Sequence, residues 1–131
     1  MKKHLKTIWP SIIWTAIIFV LLTIPTGSIE DAGMTDVIGM DKLVHFFLFC
    51  IFSFLWSVYL IFRARSSKIH TYFWYIVLSA SMYGLGMEFY QKFFTTREFS
   101  ILDAAFDSFG ALAGMFWAKK SPYGNRGRNQ N

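Results

Sequence analysis

Four long apolar stretches restrict the fold of this chain more than any other feature. They cover residues 8–24, 43–62, 72–89 and 101–118. Each is close to the ~17–25 residues that an α-helix needs to cross a hydrocarbon core of about 30 Å. The sequence therefore predicts an all-α integral membrane protein, a bundle of four transmembrane helices.

Composition favours a bilayer over water as the surroundings of this fold. Of the 131 residues, 54% are hydrophobic and 20% aromatic, whereas only 16% are charged. A water-soluble domain this small would expose large apolar patches. The only cysteine, Cys50, excludes a disulfide framework. The first stretch resembles a signal peptide, but residues 25–28 lack a small-x-small cleavage site, so we predict a retained helix.

The basic residues predict the orientation of the bundle. Ten of the thirteen lysines and arginines fall on the N-terminus, the second connection and the C-terminal tail: Lys2, Lys3, Lys6, Arg63, Arg65, Lys68, Lys119, Lys120, Arg126 and Arg128. These segments share one side of a membrane if the chain crosses it four times. The positive-inside rule then places both termini in the cytoplasm. The sequence thus predicts a multi-pass protein of the inner (cytoplasmic) membrane.

The acidic residues lie on the other side in this topology, on or beside the two outer connections: Glu30, Asp31, Asp36, Asp41, Glu88, Glu98, Asp103 and Asp107. The net charge of +5 is thus a consequence of topology, with membrane lipids as the partner of the cations. It does not indicate a nucleic-acid surface. We predict a membrane domain over residues 1–120 and a polar, disordered cytoplasmic tail over residues 121–131.

Polar residues inside or beside the apolar stretches are the candidate functional residues, because such groups are costly in a bilayer unless paired or hydrated. They occur at helical spacing, so that each pair shares a helix face: Asp41 with His45, Glu88 with Gln91, and Asp103 with Asp107. All three pairs lie toward the outer side of the membrane. The sequence predicts an outward-facing polar site.

Small residues continue two of these faces. Gly110 and Gly114 follow Asp107, and Gly84 precedes Glu88. Glycines allow helices to pack closely, so the inner half of the bundle is expected to be tight. Ser100 stands before the last stretch with Asp103 three residues later, a pattern typical of a reciprocal capping box.

These residues resemble, in the same order, the motifs of the VanZ-like family. The segment Asp41-Lys42-Leu43-Val44-His45-Phe46 is similar to its D-K-x-x-H-F motif, and the later residues are similar to its E-x-x-Q, R, S-x-x-D and glycine-rich final helix: Glu88, Gln91, Arg97, Ser100, Asp103, Gly110 and Gly114. The resemblance covers about residues 8–118. Asp107 departs from it, because the family commonly has an amide there, and this chain thereby gains a carboxylate.

The resemblance implies a role at the outer leaflet, since the family is named for a protein that gives low-level resistance to the glycopeptide teicoplanin. Lipid-linked envelope precursors and lipoglycopeptides both reside there. The residues expected to bind such an anionic ligand are Asp41, Lys42, Gln91, Arg97, Asp103 and Asp107. His45 and Glu88 are the candidates for proton transfer if the protein is an enzyme, which the sequence leaves open.

Several of these residues also have simpler explanations. His45 is either a general acid or base oriented by Asp41, or a histidine hydrogen-bonded near a helix start. Arg97 either clamps a phosphate or carboxylate, or pairs with a neighbouring carboxylate. Asp103 either binds the ligand or serves only as a helix-capping residue.

No cofactor and no metal site is predicted. The acids and His45 could coordinate a divalent cation, but Lys42 and Arg97 compete for the same carboxylates and no tight ligand motif is present. Haem is not expected, because His45 is the only histidine within a predicted span.

The sequence thus predicts a membrane protein whose outward-facing pocket binds an anionic lipid-linked precursor or lipoglycopeptide and contributes to glycopeptide tolerance. Two alternatives remain open. One is a small proton-coupled transporter that uses Glu88 as its proton carrier. The other is a structural protein that binds other membrane proteins without catalysis. The oligomeric state is not predicted.

Overall fold

The computed structural model describes residues 7–24, 40–63, 68–95 and 98–124, which form four helices. They are α1 (Trp9–Thr23), α2 (Met40–Arg63), α3 (Ile69–Phe94) and α4 (Ile101–Lys120). No strand occurs in these residues. The predicted all-α class is confirmed, and each of the four apolar stretches overlaps one helix.

The helix ends follow local chemistry. Pro10 lies in the first turn of α1, where its missing N–H removes no hydrogen bond. Ser100 caps α4, and Lys119 and Lys120 occupy its last turn, where cations interact favourably with the helix dipole. Helix α3 continues beyond the apolar stretch to Phe94, because the Thr95 N–H still bonds to the Gln91 carbonyl.

Contacts between the helices show that neighbours along the chain run in opposite directions. His45 of α2 contacts Asp107 of α4, and Cys50, one turn on, faces Gly114, so these two helices are parallel. Helix α3 is antiparallel to them, because its residue Phe73 lies against Lys119 near the end of α4. Helix α1 is parallel to α3, because Tyr83 bonds to Thr15 and Gln91, further along α3, bonds to Leu22, further along α1.

This arrangement gives the bundle two different ends. The polar end holds the first turns of α2 and α4 and the last turns of α3, with the described acids Asp41, Glu88, Glu98, Asp103 and Asp107. The basic end holds Arg63, Lys68, Lys119 and Lys120. Residues 125–131 of the predicted tail lie outside the described part of the chain, and Tyr123 packs its ring against Phe62.

Helices α2 and α4 make the closest contact in the bundle. A Cβ atom at Gly110 would overlap the carbonyl oxygen of Phe46, and one at Gly114 would overlap that of Cys50. Backbone therefore packs directly on backbone, as glycines at helical spacing allow.

Helix α1 is attached in a different way. Side chains bond to backbone carbonyls across its contacts: Trp14 to Leu48 at 2.9 Å and Tyr83 to Thr15 at 3.0 Å. A cleft of about 490 Å³ remains between α1 and its neighbours, lined by apolar surface that includes Phe19 and Trp56.

The core consists of apolar side chains between the helices, with Ile18, Phe49, Val58 and Met115 completely buried. Many large apolar side chains point outward instead, and Phe94 and Ile101 are 74% and 72% exposed. Of the four described helices, α2 and α4 are both long and apolar enough to cross a membrane, and α1 is apolar but shorter.

Candidate functional site

The centre of the polar end is a hydrogen bond between α2 and α4. His45 Nδ1 lies 2.9 Å from Asp107 Oδ1, and both residues are completely buried. The two side chains meet because the glycine contacts below them hold α2 and α4 in parallel at close range. The carboxylate therefore fixes the orientation of the imidazole ring.

Glu88 reaches the same end from α3. Its Oε2 accepts a hydrogen bond of 2.9 Å from the backbone N–H of Ser100, just before α4 begins. Ser100 Oγ in turn accepts from the N–H of Asp103, at 3.3 Å. The predicted capping box is thus formed only in its first half, because the Ser100 N–H that Asp103 was expected to bind is bonded to Glu88.

Asp103 and Lys42 lie at the edge of the site, in the first turns of α4 and α2. Lys42 Nζ lies 3.6 Å from Asp103 Oδ1, too far for a direct hydrogen bond, and the lysine side chain is 30% exposed. Asp41 is exposed at the start of α2. A ligand atom from each of Asp41, His45 and Asp103 can be chosen so that all three lie within 4.8 Å of one another.

Gln91 is buried, but its amide is engaged away from these groups. Its Nε2 donates a hydrogen bond of 2.9 Å to the carbonyl oxygen of Leu22, near the end of α1. The structure therefore places this residue of the sequence motif at the α1–α3 contact. Arg97, the other predicted ligand residue of this region, lies outside the described residues.

Four buried polar atoms at this end have no hydrogen-bond partner in the described structure: His45 Nε2, Glu88 Oε1, Asp103 Oδ1 and Asp107 Oδ2. We refer to His45, Glu88, Asp103 and Asp107 as the polar cluster. Buried polar groups are nearly always hydrogen-bonded, so these four atoms make the polar cluster the candidate site for a ligand.

Gly84 has a role that sequence reasoning missed. A Cβ atom at this position would overlap the Asp107 carboxylate, so the glycine provides the space in which that side chain lies. The sequence marked Gly84 only as a small residue on the Glu88 face. Its spacing from Glu88 could have indicated that it borders the site, but not that it faces a residue of α4.

The described side chains offer mainly hydrogen-bond acceptors. Three carboxylates belong to the polar cluster and Asp41 adds a fourth, whereas Lys42 approaches Asp103 and Lys92 is exposed in the last turn of α3. His45 and Glu88, the residues expected to transfer protons, each have one buried atom without a hydrogen bond in the described structure, Nε2 of His45 and Oε1 of Glu88. The arrangement suits a ligand that donates hydrogen bonds or carries a cation.

Comparison with known proteins identifies the family of the chain. The sequence model of the VanZ/LLP1 family matches residues 3–120, which contain all four described helices. The chain belongs to the VanZ/LLP1 family. The predicted resemblance to VanZ-like proteins is thereby confirmed. No curated protein matches the chain, and no solved structure does.

Membership of the VanZ/LLP1 family and the two long apolar helices, α2 and α4, together indicate a membrane protein. The polar cluster lies within the family match, with His45 on one of these helices and Asp107 on the other. Glu88 joins them from α3.

Proposed function

We propose that this VanZ/LLP1 protein crosses the cytoplasmic membrane four times, with both termini in the cytoplasm and the polar cluster facing outward. The alternating directions of the four helices support this topology. So does the distribution of charge, because four of the six described lysines and arginines lie at the opposite end from the acids: Arg63, Lys68, Lys119 and Lys120, with Lys42 and Lys92 as the exceptions. The large exposed apolar side chains would contact lipid.

We further propose that the polar cluster binds the headgroup of a lipid-linked envelope precursor or of a lipoglycopeptide, and so contributes to glycopeptide tolerance. One observation carries this proposal: four buried polar atoms from α2, α3 and α4 make no hydrogen bond in the described structure, and only Asp103 Oδ1 among them lies near a cation, Lys42. Such atoms are costly to bury unless a ligand or water completes their hydrogen bonds.

The chemistry of the cluster suits part of such a ligand directly. Hydroxyl, amide and ammonium groups of a headgroup would donate hydrogen bonds to Glu88 Oε1 and Asp107 Oδ2. An anionic group would be repelled by the same carboxylates unless a cation lay between them. Lys42 is the described side chain that already approaches one of them.

The test compares two glutamates at the polar end. Glu88→Gln removes the acidity of a completely buried member of the cluster, and Glu98→Gln makes the same change at an exposed position. Both variants and the wild type are expressed at matched membrane abundance in a glycopeptide-sensitive host, and the teicoplanin concentration that stops growth is measured.

We expect tolerance with the wild type and with Glu98→Gln, and its loss with Glu88→Gln. Equal tolerance with Glu88→Gln would contradict a working site at the polar cluster and favour the structural role. Growth inhibition at the same concentration with and without the wild-type protein would contradict the proposed glycopeptide tolerance itself.

Complete burial of Glu88 also suits the alternative of a proton-coupled transporter. A transporter needs access to its carrier from both sides of the membrane. Toward the basic end, however, the buried polar residues of the described chain are serines, among them Ser53 and Ser57. The decisive measurement is pH-driven uptake of a labelled lipid precursor in proteoliposomes, which the proposed binding function predicts to be absent.

A further inference from the structure

Three side chains at the polar end converge in a way that suits a metal ion. Asp41 and His45 lie one turn apart on α2, and Asp103 lies in the first turn of α4. Each offers one ligand atom, and these atoms all lie within 4.8 Å of one another. A single ion between them could contact all three after small side-chain rotations.

The short distances between these ligand atoms do not by themselves indicate a metal site. The environment of His45 is a second, independent observation. This residue is completely buried, and its Nε2 has no hydrogen-bond partner in the described structure. Asp103 is 4% exposed, and its Oδ1 also lacks a hydrogen-bond partner there. His45 and Asp103 thus each bury a ligand atom that makes no hydrogen bond there, and the one on Asp103 lies 3.6 Å from Lys42 Nζ.

Asp107 completes a pattern that is common around metal-binding histidines. Its Oδ1 lies 2.9 Å from His45 Nδ1. A carboxylate that accepts the Nδ1 proton fixes the tautomer and leaves the Nε2 lone pair available to a metal ion. Gly84 secures this arrangement, because it leaves room for the Asp107 carboxylate.

We propose that Asp41, His45 and Asp103 bind one divalent cation of the Zn²⁺ or Mn²⁺ type, with Asp107 as the positioning residue of His45. A donor set of one imidazole nitrogen and two carboxylates suits these ions, whereas Mg²⁺ and Ca²⁺ prefer oxygen ligands alone. The remaining ligand positions would hold water or a group of the bound ligand. This revises the sequence-based expectation that no metal binds.

Competition by Lys42 was one reason to expect no metal, beside Arg97 and the lack of a tight ligand motif, and the geometry of Lys42 weakens that part of the argument. Its Nζ stays 3.6 Å from Asp103 Oδ1, and its side chain is 30% exposed, so it can turn toward solvent when an ion binds. A divalent cation would also remove the repulsion between the carboxylates of the polar end and an anionic ligand. It would link the carboxylates to an anionic headgroup, and this second step alone rests on the proposed function.

The experiment measures binding of Zn²⁺ and Mn²⁺ to the purified full chain in lipid nanodiscs by isothermal titration calorimetry. We expect one ion per chain and at least a tenfold loss of affinity for His45→Ala and for Asp103→Asn. Glu98→Gln removes an exposed carboxylate at the same end and should bind as the wild type does. Absence of binding to the wild type, or equal binding to all four proteins, would overturn the proposal.

A measurement on the wild type alone covers the case in which the variants fail to fold. Electron spin echo spectroscopy of the Mn²⁺-loaded protein should show coupling to a nitrogen nucleus from His45. Bound Mn²⁺ without that coupling would overturn the assignment of the ligands.

The result is separable from the glycopeptide experiment. Metal binding combined with equal tolerance for wild type and Glu88→Gln would contradict the proposed function and leave the metal site standing. Tolerance that depends on Glu88, without any metal binding, would overturn the metal site and leave the proposed function standing.

Discussion

Helices α2 and α4 pack against each other by backbone, whereas α1 is attached by side chains. Gly110 and Gly114 of α4 lie directly on the carbonyl groups of Phe46 and Cys50. Helix α1 instead contributes the core side chain Ile18 and makes individual hydrogen bonds beside an apolar cleft. The pair of helices that carries His45 and Asp107 is therefore constrained by contacts between backbone atoms, whereas α1 is held by separate side-chain contacts.

The strongest test of this comparison is a methyl group added between α2 and α4. Gly110→Ala should destabilise the fold by about 3 kcal/mol, because its Cβ would overlap backbone atoms that cannot rotate away. Unfolding in detergent micelles, followed by circular dichroism, measures the effect.

Gly86→Ala is the matched control, since nothing lies within 4 Å of a Cβ at Gly86 on α3. It should be neutral or stabilising by up to about 1 kcal/mol, because alanine favours a helix more than glycine does. Equal stability of the two variants would contradict the close backbone contact.

A smaller effect is expected where the added methyl group meets a side chain. Gly84→Ala would displace the Asp107 carboxylate, which can rotate, so we expect a loss of about 1–2 kcal/mol and a broken His45–Asp107 hydrogen bond. The ¹⁵N resonances of the His45 ring report that bond directly. An unchanged spectrum in the Gly84→Ala protein would refute the contact.

At the contact with α1, Gln91→Leu should lower the free energy of unfolding by only about 1 kcal/mol. This is the usual contribution of one hydrogen bond inside a membrane protein. The lost bond is the one from Gln91 Nε2 to the Leu22 carbonyl. Hydrogen exchange followed by mass spectrometry should show faster exchange at the end of α1 alone. Faster exchange in α2 and α4 as well would show that the two regions are not independent.

The smallest effects come from a pair of variants that each remove one hydroxyl group. Ser57→Ala deletes a buried hydroxyl that has no partner in the described structure, so stability should change by less than about 0.5 kcal/mol. Tyr83→Phe deletes the donor to the Thr15 carbonyl and should cost about 0.6 kcal/mol or more. The reverse order in thermal unfolding would count against the role of hydrogen bonds in attaching α1.

The four helices were predictable because apolar length is a local property of the chain. The faces that carry Asp41 with His45 and Asp103 with Asp107 were predictable too, since helical spacing alone defines them. Which faces meet was not. The contact of His45 with Asp107 depends on the parallel packing of two helices that are separated by a third.

The same limit explains the differences at single residues. Gln91 shares a face with Glu88, yet its amide bonds to α1, because the last turn of α1 leaves the Leu22 carbonyl without a helical N–H. The Ser100 N–H bonds to Glu88 rather than to Asp103, because α3 brings a carboxylate to the start of α4. In both cases a long-range contact replaces the local one that the sequence suggests.

The parallel pairing of α2 with α4 has a consequence for synthesis. Asp107 follows His45 by 62 residues, so at ~5–20 residues per second the imidazole waits roughly 3–12 s for its carboxylate. Until α4 is synthesised, α2 also lacks the glycine surface of α4 against which its backbone carbonyl groups pack. The partner of His45 is therefore synthesised last, and a nascent chain interrupted before α4 has a His45 without the carboxylate that fixes its ring.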